Sequence, residues 1–249
     1  MDYDKSDIAT VYDEARALTP ERVRQWRDVL SLDLAPAAIT TVADLGCGTG
    51  RFTELLASHF TAQVIGIDPS RRMIEQARRK SIAENIVFRQ ARAEALPLQD
   101  GSVDLAFMSQ AYHHLSDPSA VARECFRILR QSGQMCIRNT TRDCDFPYRH
   151  FFLVQPLIDS DLPTREEIRS VFLAVGFAVA ADRMLSRVVA TDWPSFARNS
   201  ALRADSFLAR LSDPEFESGM AALRAHAAAV DRDCFVSEEI SWFIFTKQG

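Results

Sequence analysis

No apolar run in this sequence is long enough to cross a bilayer, so stable membrane insertion by a helix is not expected. The five cysteines, Cys47, Cys125, Cys136, Cys144 and Cys234, include no C-x-x-C pair. Their odd number and scattered spacing argue against a disulfide framework. No H-E-x-x-H or similar ligand spacing occurs, and His59, His150 and His226 lie far in sequence from His113-His114, so no metal site is expected. Positive charge is not in excess either. Lys and Arg number 29 against 34 Asp and Glu, a net charge of -5, which offers no broad footprint for nucleic acid. The local run Arg71-Arg72 with Arg78-Arg79-Lys80 reads as a solvated helix face. Internal repeats and low-complexity segments are lacking as well. Met1-Asp2-Tyr3-Asp4 is acidic and polar, without the basic and apolar halves of a secretion signal. The expectation is a cytoplasmic protein.

What is present is an ordinary globular composition, 47% hydrophobic and 25% charged over 249 residues, enough for one large α/β domain. Strand-like and helix-like segments alternate, which points to a mostly parallel sheet. Thr19-Pro20 opens a helix whose apolar face is Val23, Trp26, Val29 and Leu30. Strands are expected at Thr41 to Leu45, Gln63 to Ile67, Ile86 to Arg89, Val103 to Met108, Gln134 to Arg138, Phe177 to Val189 and Ile240 to Phe245. Helices fall between them. One carries Phe52, Leu55 and Leu56; another, capped by Ser70, carries Met73, Ile74 and Ala77. A third opens at Asp117-Pro118, places Val121, Cys125, Ile128 and Leu129 on one face, and is expected to run until Gly133 breaks it. A fourth, with Ile168, Val171, Phe172 and Val175, ends at Gly176. Residues 192–232 read as helical, a segment of about forty residues that separates the last two strands. It is expected as a cap over the sheet, not an independent domain.

The chemistry centres on Asp44-Leu45-Gly46-Cys47-Gly48-Thr49-Gly50. This glycine-rich loop follows a strand and opens a helix, so a ligand there would sit at the carboxyl end of the sheet. Asp68 lies about twenty residues on, at the end of the second strand, where an acid can accept hydrogen bonds from both ribose hydroxyls. The dinucleotide fingerprint is G-x-G-x-x-G, with a pyrophosphate at the helix N-terminus. Here the last two glycines are one residue closer. S-adenosylmethionine has no phosphate, and its amino acid part suits glycine backbone with a nearby acid such as Asp44.

Several segments in order resemble the class I S-adenosylmethionine-dependent methyltransferases. Val42 through Gly50 is similar to the family's first motif, and Ile67-Asp68-Pro69-Ser70 to its second. Ala93-Glu94-Ala95-Leu96-Pro97-Leu98, followed by Asp100-Gly101-Ser102-Val103-Asp104, resembles the adenine-side segment and the start of the fourth strand. Ala111-Tyr112-His113-His114-Leu115, Asp117-Pro118 and Arg127-Ile128-Leu129-Arg130 resemble the stretch beyond. The set spans residues 40–140. Its nearest branch looks like the small-molecule one that includes ubiquinone and menaquinone methyltransferases. Arg92 stands where the family often has aspartate or serine, and Arg130-Gln131-Ser132-Gly133 where it has Arg-Pro-Gly-Gly.

The resemblance implies an α/β fold: a Rossmann-like doubly wound sheet, mostly parallel with an antiparallel last strand, plus a helical cap. It implies one methyltransferase domain over 1–249, with residues 1–35 as a helical segment over the cofactor and 190–235 as a cap insertion over the acceptor site. It further implies S-adenosyl-L-methionine as cofactor, S-adenosyl-L-homocysteine as product, and a small-molecule acceptor as partner. Gly46, Cys47 and Gly48 would line the methionine part beside Asp44. Asp68 would bind the ribose, Pro69 and Met73 would pack near the adenine, and Ala93 and Glu94 would meet its edge. Ser109 would pass close to the sulfonium, and Tyr12 and Arg16 would fold over the cofactor. Cys47 also reads as a small packing residue.

For His113 and His114 two readings stand. One histidine takes a proton from the acceptor as the methyl moves, or one is a structural hydrogen-bonding group and the other faces solvent. Placement of nucleophile, methyl and leaving sulfur in line supplies much of the catalysis without a base. Phe146, Tyr148, Phe151, Phe152, Trp193, Phe196 and Phe207 are read either as core or, together, as an apolar acceptor pocket. A non-catalytic cofactor-binding or regulatory protein on this fold is the alternative function. An NAD-dependent oxidoreductase fits the acid after the second strand but not the glycine spacing.

Overall fold

Short, apolar, β-branched segments of the first half pair side by side and in parallel. In this computed structural model, which describes residues 20–203, 205–231 and 234–248, the strands are β1 (Thr41–Leu45), β2 (Gln63–Asp68), β3 (Ile86–Gln90), β4 (Val103–Ser109), β5 (Leu129–Asn139), β6 (Phe177–Ala190) and β7 (Val236–Lys247). They form one sheet in the order β3-β2-β1-β4-β5-β7-β6. Thr41 pairs with Gln63, Val64 with Ile86, Val42 with Leu105 and Leu105 with Gln134, all in parallel ladders. At the other end of the chain Lys247, which closes β7, donates from Nζ to the Leu129 carbonyl that opens β5, at 2.8 Å. The last strand therefore runs against its neighbour, and the sheet is mostly parallel with an antiparallel last strand. Central strands buried on both faces carry almost no polar side chain, as Val42, Ala43, Leu45, Leu105, Ala106 and Phe107 show.

The helices obey local signals. α1 (Pro20–Asp33) buries Trp26 and Leu30. α2 (Arg51–Phe60) buries Phe52, Leu55, Leu56 and Phe60. α3 (Arg71–Lys80) is capped by the Ser70 hydroxyl, which accepts from the Met73 amide at 3.2 Å, and its basic last turn complements the helix dipole. α4 (Pro118–Ile128) is capped by Asp117, whose carboxylate accepts from the Ala120 amide at 2.9 Å. It stops at Ile128, before the expected Gly133. Leu129 is already extended and pairs with Val103, so it belongs to the strand. Regular pairing resumes between Leu105 and Gln134, so residues 130–133 form a bulge, with Ser132 in the left-handed region at φ 61°.

The described chain divides into two compact units. One takes in the residues up to Asn139 together with Glu166–Arg183 and the stretch from Trp242, including most of α7 (Arg165–Val175). Its main core packs Ile67, Met108, Val121, Ile128, Phe172 and Phe245. The other takes in Thr140–Arg165 and Met184–Ser241, with α5 (Tyr148–Phe151), α6 (Gln155–Asp161), α8 (Trp193–Ala201) and α9 (Asp213–Ala229). The expected helical run at 192–232 is thus two helices with a looser link, and β7 begins four residues before Ile240, at Val236. In this unit Phe146, Phe152 and Phe196 are buried, and Tyr148, Phe151, Trp193 and Phe207 pack against the same cluster. The aromatic residues considered for a pocket are therefore core.

Gly66 shows how tightly the sheet backs the loop after β1. A Cβ on this β2 residue would stand 2.6 Å from Phe88 Cδ1 and 3.1 Å from Cys47 Sγ. Gly66→Ala is expected to cost about 1–3 kcal/mol through overpacking, read by chemical denaturation. An unchanged midpoint would mean that Phe88 has room to move.

Candidate functional site

At the carboxyl ends of β1, β2 and β4 the chain leaves the sheet by three turns, and between them lies a cavity of about 730 Å³. That volume is in the range of small-molecule and cofactor sites. Asp44, Gly46, Cys47, Gly48, Asp68, Pro69, Met73, Ala93, Glu94, Ser109, His113 and His114 all line it. Tyr12 and Arg16 lie outside the described residues.

The glycine loop has the backbone that its sequence demands. Gly46, Gly48 and Gly50 have φ of 69°, 55° and 84°, a region that side chains with a Cβ rarely adopt. Two of the three also have no room for one. A Cβ on Gly46 would come within 2.5 Å of Ala111 Cβ, and one on Gly50 within 2.9 Å of Phe88. Gly48 differs, since a Cβ there would meet nothing within 4 Å. Its amide instead donates to Asp68 Oδ2 at 2.9 Å, while the Ser70 amide donates to Asp68 Oδ1 at 2.9 Å. The two amides fix the carboxylate's plane.

Asp44 is the second acid, and it is buried. Burial pushes its carboxyl up to about 7, against the opposing hydrogen bond that the Thr53 hydroxyl donates at 2.6 Å, and the nearby Asp68 charge pushes the same way as burial. Cys47 packs with Ile74, Ala77 and Phe88. Burial drives its thiol well up, with the charges of Asp44 and Asp68 adding to the effect, so it is a packing residue and no nucleophile.

At the far side, Arg92 takes up the position where the family often has aspartate or serine. Its guanidinium donates to Glu94 Oε1 at 3.1 Å and to Ser116 Oγ at 2.6 Å. Against the cost of partial burial, the Ser116 hydroxyl, at 2.7 Å, and Arg92 hold the Glu94 carboxyl below its ordinary value.

Sequence reasoning misses four contributors. Gln110 lines the cavity at φ 56°, with its amide bonded to the Arg138 carbonyl at 2.7 Å. Arg138 is buried, donates to Ser109 Oγ at 2.9 Å, and lies over the rings of Trp26 and Phe52 at 4.5 and 5.3 Å. Phe52 itself lines the cavity. Asn139, at the end of β5, accepts from the Tyr112 amide at 3.2 Å and contacts His113 Nδ1 at 3.3 Å. None has a motif signal, because each is held in place by residues distant in sequence. Among the described residues, no group of three or more His, Cys, Asp or Glu side chains could hold a metal ion. No helix among them is long and apolar enough to cross a membrane.

Residues 43–137, which include every element just described except Asn139, Arg138 and Trp26, match the family model described as a methyltransferase domain. Over that segment the chain is similar to methyltransferase domains. An uncharacterized methyltransferase-like protein of Schizosaccharomyces pombe is 30% identical to it over 145 residues, 58% of this chain and 54% of that one. The chain spans about half the length of the curated relatives it matches first. Among solved structures, a geranyl diphosphate methyltransferase in complex with SAM is similar with a TM-score of 0.59 at 17% identity, covering 97% of this chain and 95% of that one. A [4+2]-cyclase, SpnF, is similar with a TM-score of 0.62 at 19% identity, covering 94% and 85%. At such identities these likenesses concern the fold alone.

The site has a pH signature in Asp44. Its folded-state value of about 7 lies above the ordinary 3.8, so the folded state holds this proton more tightly than the unfolded state does. The group's contribution to stability is complete at acid pH and is lost as pH rises through about 7. Without ligand, Asp44→Asn is therefore expected to gain stability relative to the native protein, on the order of 2 kcal/mol between about pH 5 and about pH 8. Paired denaturation curves at the two pH values measure this, and a gap that does not change with pH would contradict it.

Proposed function

We propose that the protein transfers a methyl group from S-adenosyl-L-methionine to a small organic acceptor, with S-adenosyl-L-homocysteine as product. The observation that carries this reading is the cavity in which the left-handed glycine loop, two buried carboxyl groups and the end of β4 converge.

The donor set fits a cationic nucleoside. Asp68, oriented by the Gly48 and Ser70 amides, presents two acceptor oxygens suited to a vicinal diol. Asp44, reluctant to ionise in its buried place, gains from an ammonium group because an opposite charge favours the carboxylate. A pyrophosphate at the same loop would face two carboxyl groups instead, which speaks against a nicotinamide dinucleotide. Pro69 and Met73 provide apolar surface for a base, and the Ala93 backbone, with Glu94, provides polar groups for its edge. Ser109, held by Arg138, belongs to the end where the sulfur would lie. When bound, the cofactor supplies a methyl group activated by a positively charged sulfur. The chain's own residues bind, orient and shield.

The similarity of SpnF, a cyclase, means that fold likeness alone does not fix the reaction.

Titration calorimetry with S-adenosylmethionine and S-adenosylhomocysteine tests the donor half. Binding of both at sub-millimolar concentration is expected, and Asp68→Ala is expected to weaken it at least tenfold, a loss of about 1.4 kcal/mol or more. Failure of both ligands to bind the folded protein would sink the reading, and unchanged affinity in Asp68→Ala would refute the ribose assignment.

A further inference from the structure

Two adjacent histidines line the cavity, with ring centroids 4.0 Å apart, but their surroundings differ. His114 is exposed and His113 half-buried. His113 also has a neighbour that decides where its proton sits. Asn139 is fully buried, and its Oδ1 lies 3.2 Å from the backbone nitrogen of Tyr112. A backbone N–H only donates, so the Asn139 atom facing it must be the carbonyl oxygen and not the amide nitrogen. The same Oδ1 lies 3.3 Å from His113 Nδ1. A carbonyl oxygen only accepts, so Nδ1 must carry the hydrogen. In a neutral imidazole the lone pair is then on Nε2.

From this chain of constraints we infer that Asn139 is a positioning residue that locks His113 in its Nδ1–H form, that His113 is the general base of this site, and that the acceptor is a molecule whose nucleophilic atom bears a hydrogen. This rests on the methyl-transfer reading given above. The step balances. As the bond between acceptor atom and methyl carbon forms, the bond from that carbon to sulfur breaks and its electron pair stays on sulfur. The proton of the acceptor atom passes to His113 Nε2, so the acceptor leaves neutral and the imidazole becomes cationic. A hydroxyl, a primary or secondary amine, or an acidic C–H meets the requirement. A tertiary amine or a thioether has no such proton and makes no use of the base. The Tyr112 amide completes the device. It holds Asn139 against rotation, so the side-chain amide cannot flip and offer its NH2 to the ring.

The full-length protein with 15N-labelled histidine tests this directly. It has five histidines, and His113→Gln identifies the signal of interest. Two-bond 15N–1H spectra at about pH 8, where neutral imidazole dominates, are expected to show His113 protonated at Nδ1 and bare at Nε2, with or without S-adenosylhomocysteine. Asn139→Leu should abolish that preference, and Asn139→Asp, which keeps an acceptor in place, should restore it. A neutral His113 carrying its hydrogen on Nε2 in the native protein would overturn the inference, since Nε2 would have no lone pair for a proton. Calorimetry with S-adenosylhomocysteine is read separately, so failure to bind the cofactor and failure of the tautomer are distinct results. In transfer assays with labelled methyl donor, His113→Gln should lower kcat for a phenol or a secondary amine at least a hundredfold, with S-adenosylhomocysteine affinity changed less than threefold. Label entering a tertiary amine or a thioether as fast as the phenol or secondary amine would refute the acceptor class.

Discussion

The site depends on one topological constraint, the placement of β1 between β2 and β4. From β1 the chain builds outward to β2 and β3 on one side; it then returns to build β4 and β5 on the other. Where the order reverses, the connecting turns part and leave a crevice at the carboxyl ends of the strands. Parallel pairing of Leu45 with both Ile67 and Met108 brings the ends of the three strands level. The loop at Gly46–Gly50, the acid at Asp68 and the turn at Gln110–Ala111 are neighbours because of that register. Gly46 has no Cβ because Ala111 of the opposite turn occupies the space.

Burial of polar groups here follows a consistent pattern. A buried charge or amide is costly unless it is bonded, and those at this cavity are bonded by groups from other strands, turns or, for Asp44, the helix α2. Asp68 of β2 is held partly by the loop after β1, and Asn139 of β5 by the turn after β4. Arg138 of β5 reaches Ser109 of β4 while its guanidinium lies over Trp26 and Phe52. Asp44 is the strained member. Its hydrogen bond from Thr53 does not offset desolvation, and its neighbour is another acid. A cation at this place would relieve both effects.

Much of this is legible in the order and type of the residues. Five of the seven strand starts and most helix starts follow from period and capping signals, as at Ser70 and Asp117, because caps are local chemistry, whereas β5 and β7 begin earlier than their apolar runs, at Leu129 and Val236. The described site candidates meet at one cavity because the motifs lie at strand ends, where a doubly wound sheet gathers its turns. The departures have local causes too. Leu129 fits the helical stripe that leads into it, yet cross-strand pairing with Val103 claims it and ends α4 at Ile128. The aromatic residues of 146–207 carry no periodic label that separates a pocket from a core, and packing makes them core.

The amino-acid sequence alone determined the loop after β1 and its near neighbours: three glycines at fixed spacing, an acid at the end of the next strand, and the order of the segments that follow. These are constraints on backbone conformation and near neighbours, so residue type and spacing express them. The tertiary structure decided what depends on distant residues meeting. Burial and the Asp68 charge raise the Asp44 carboxyl, and a packed cluster silences the Cys47 thiol. His113 and His114 are indistinguishable as a dipeptide. They part company only because Asn139, 26 residues on, returns beneath one of them with its carbonyl oxygen fixed by a backbone amide.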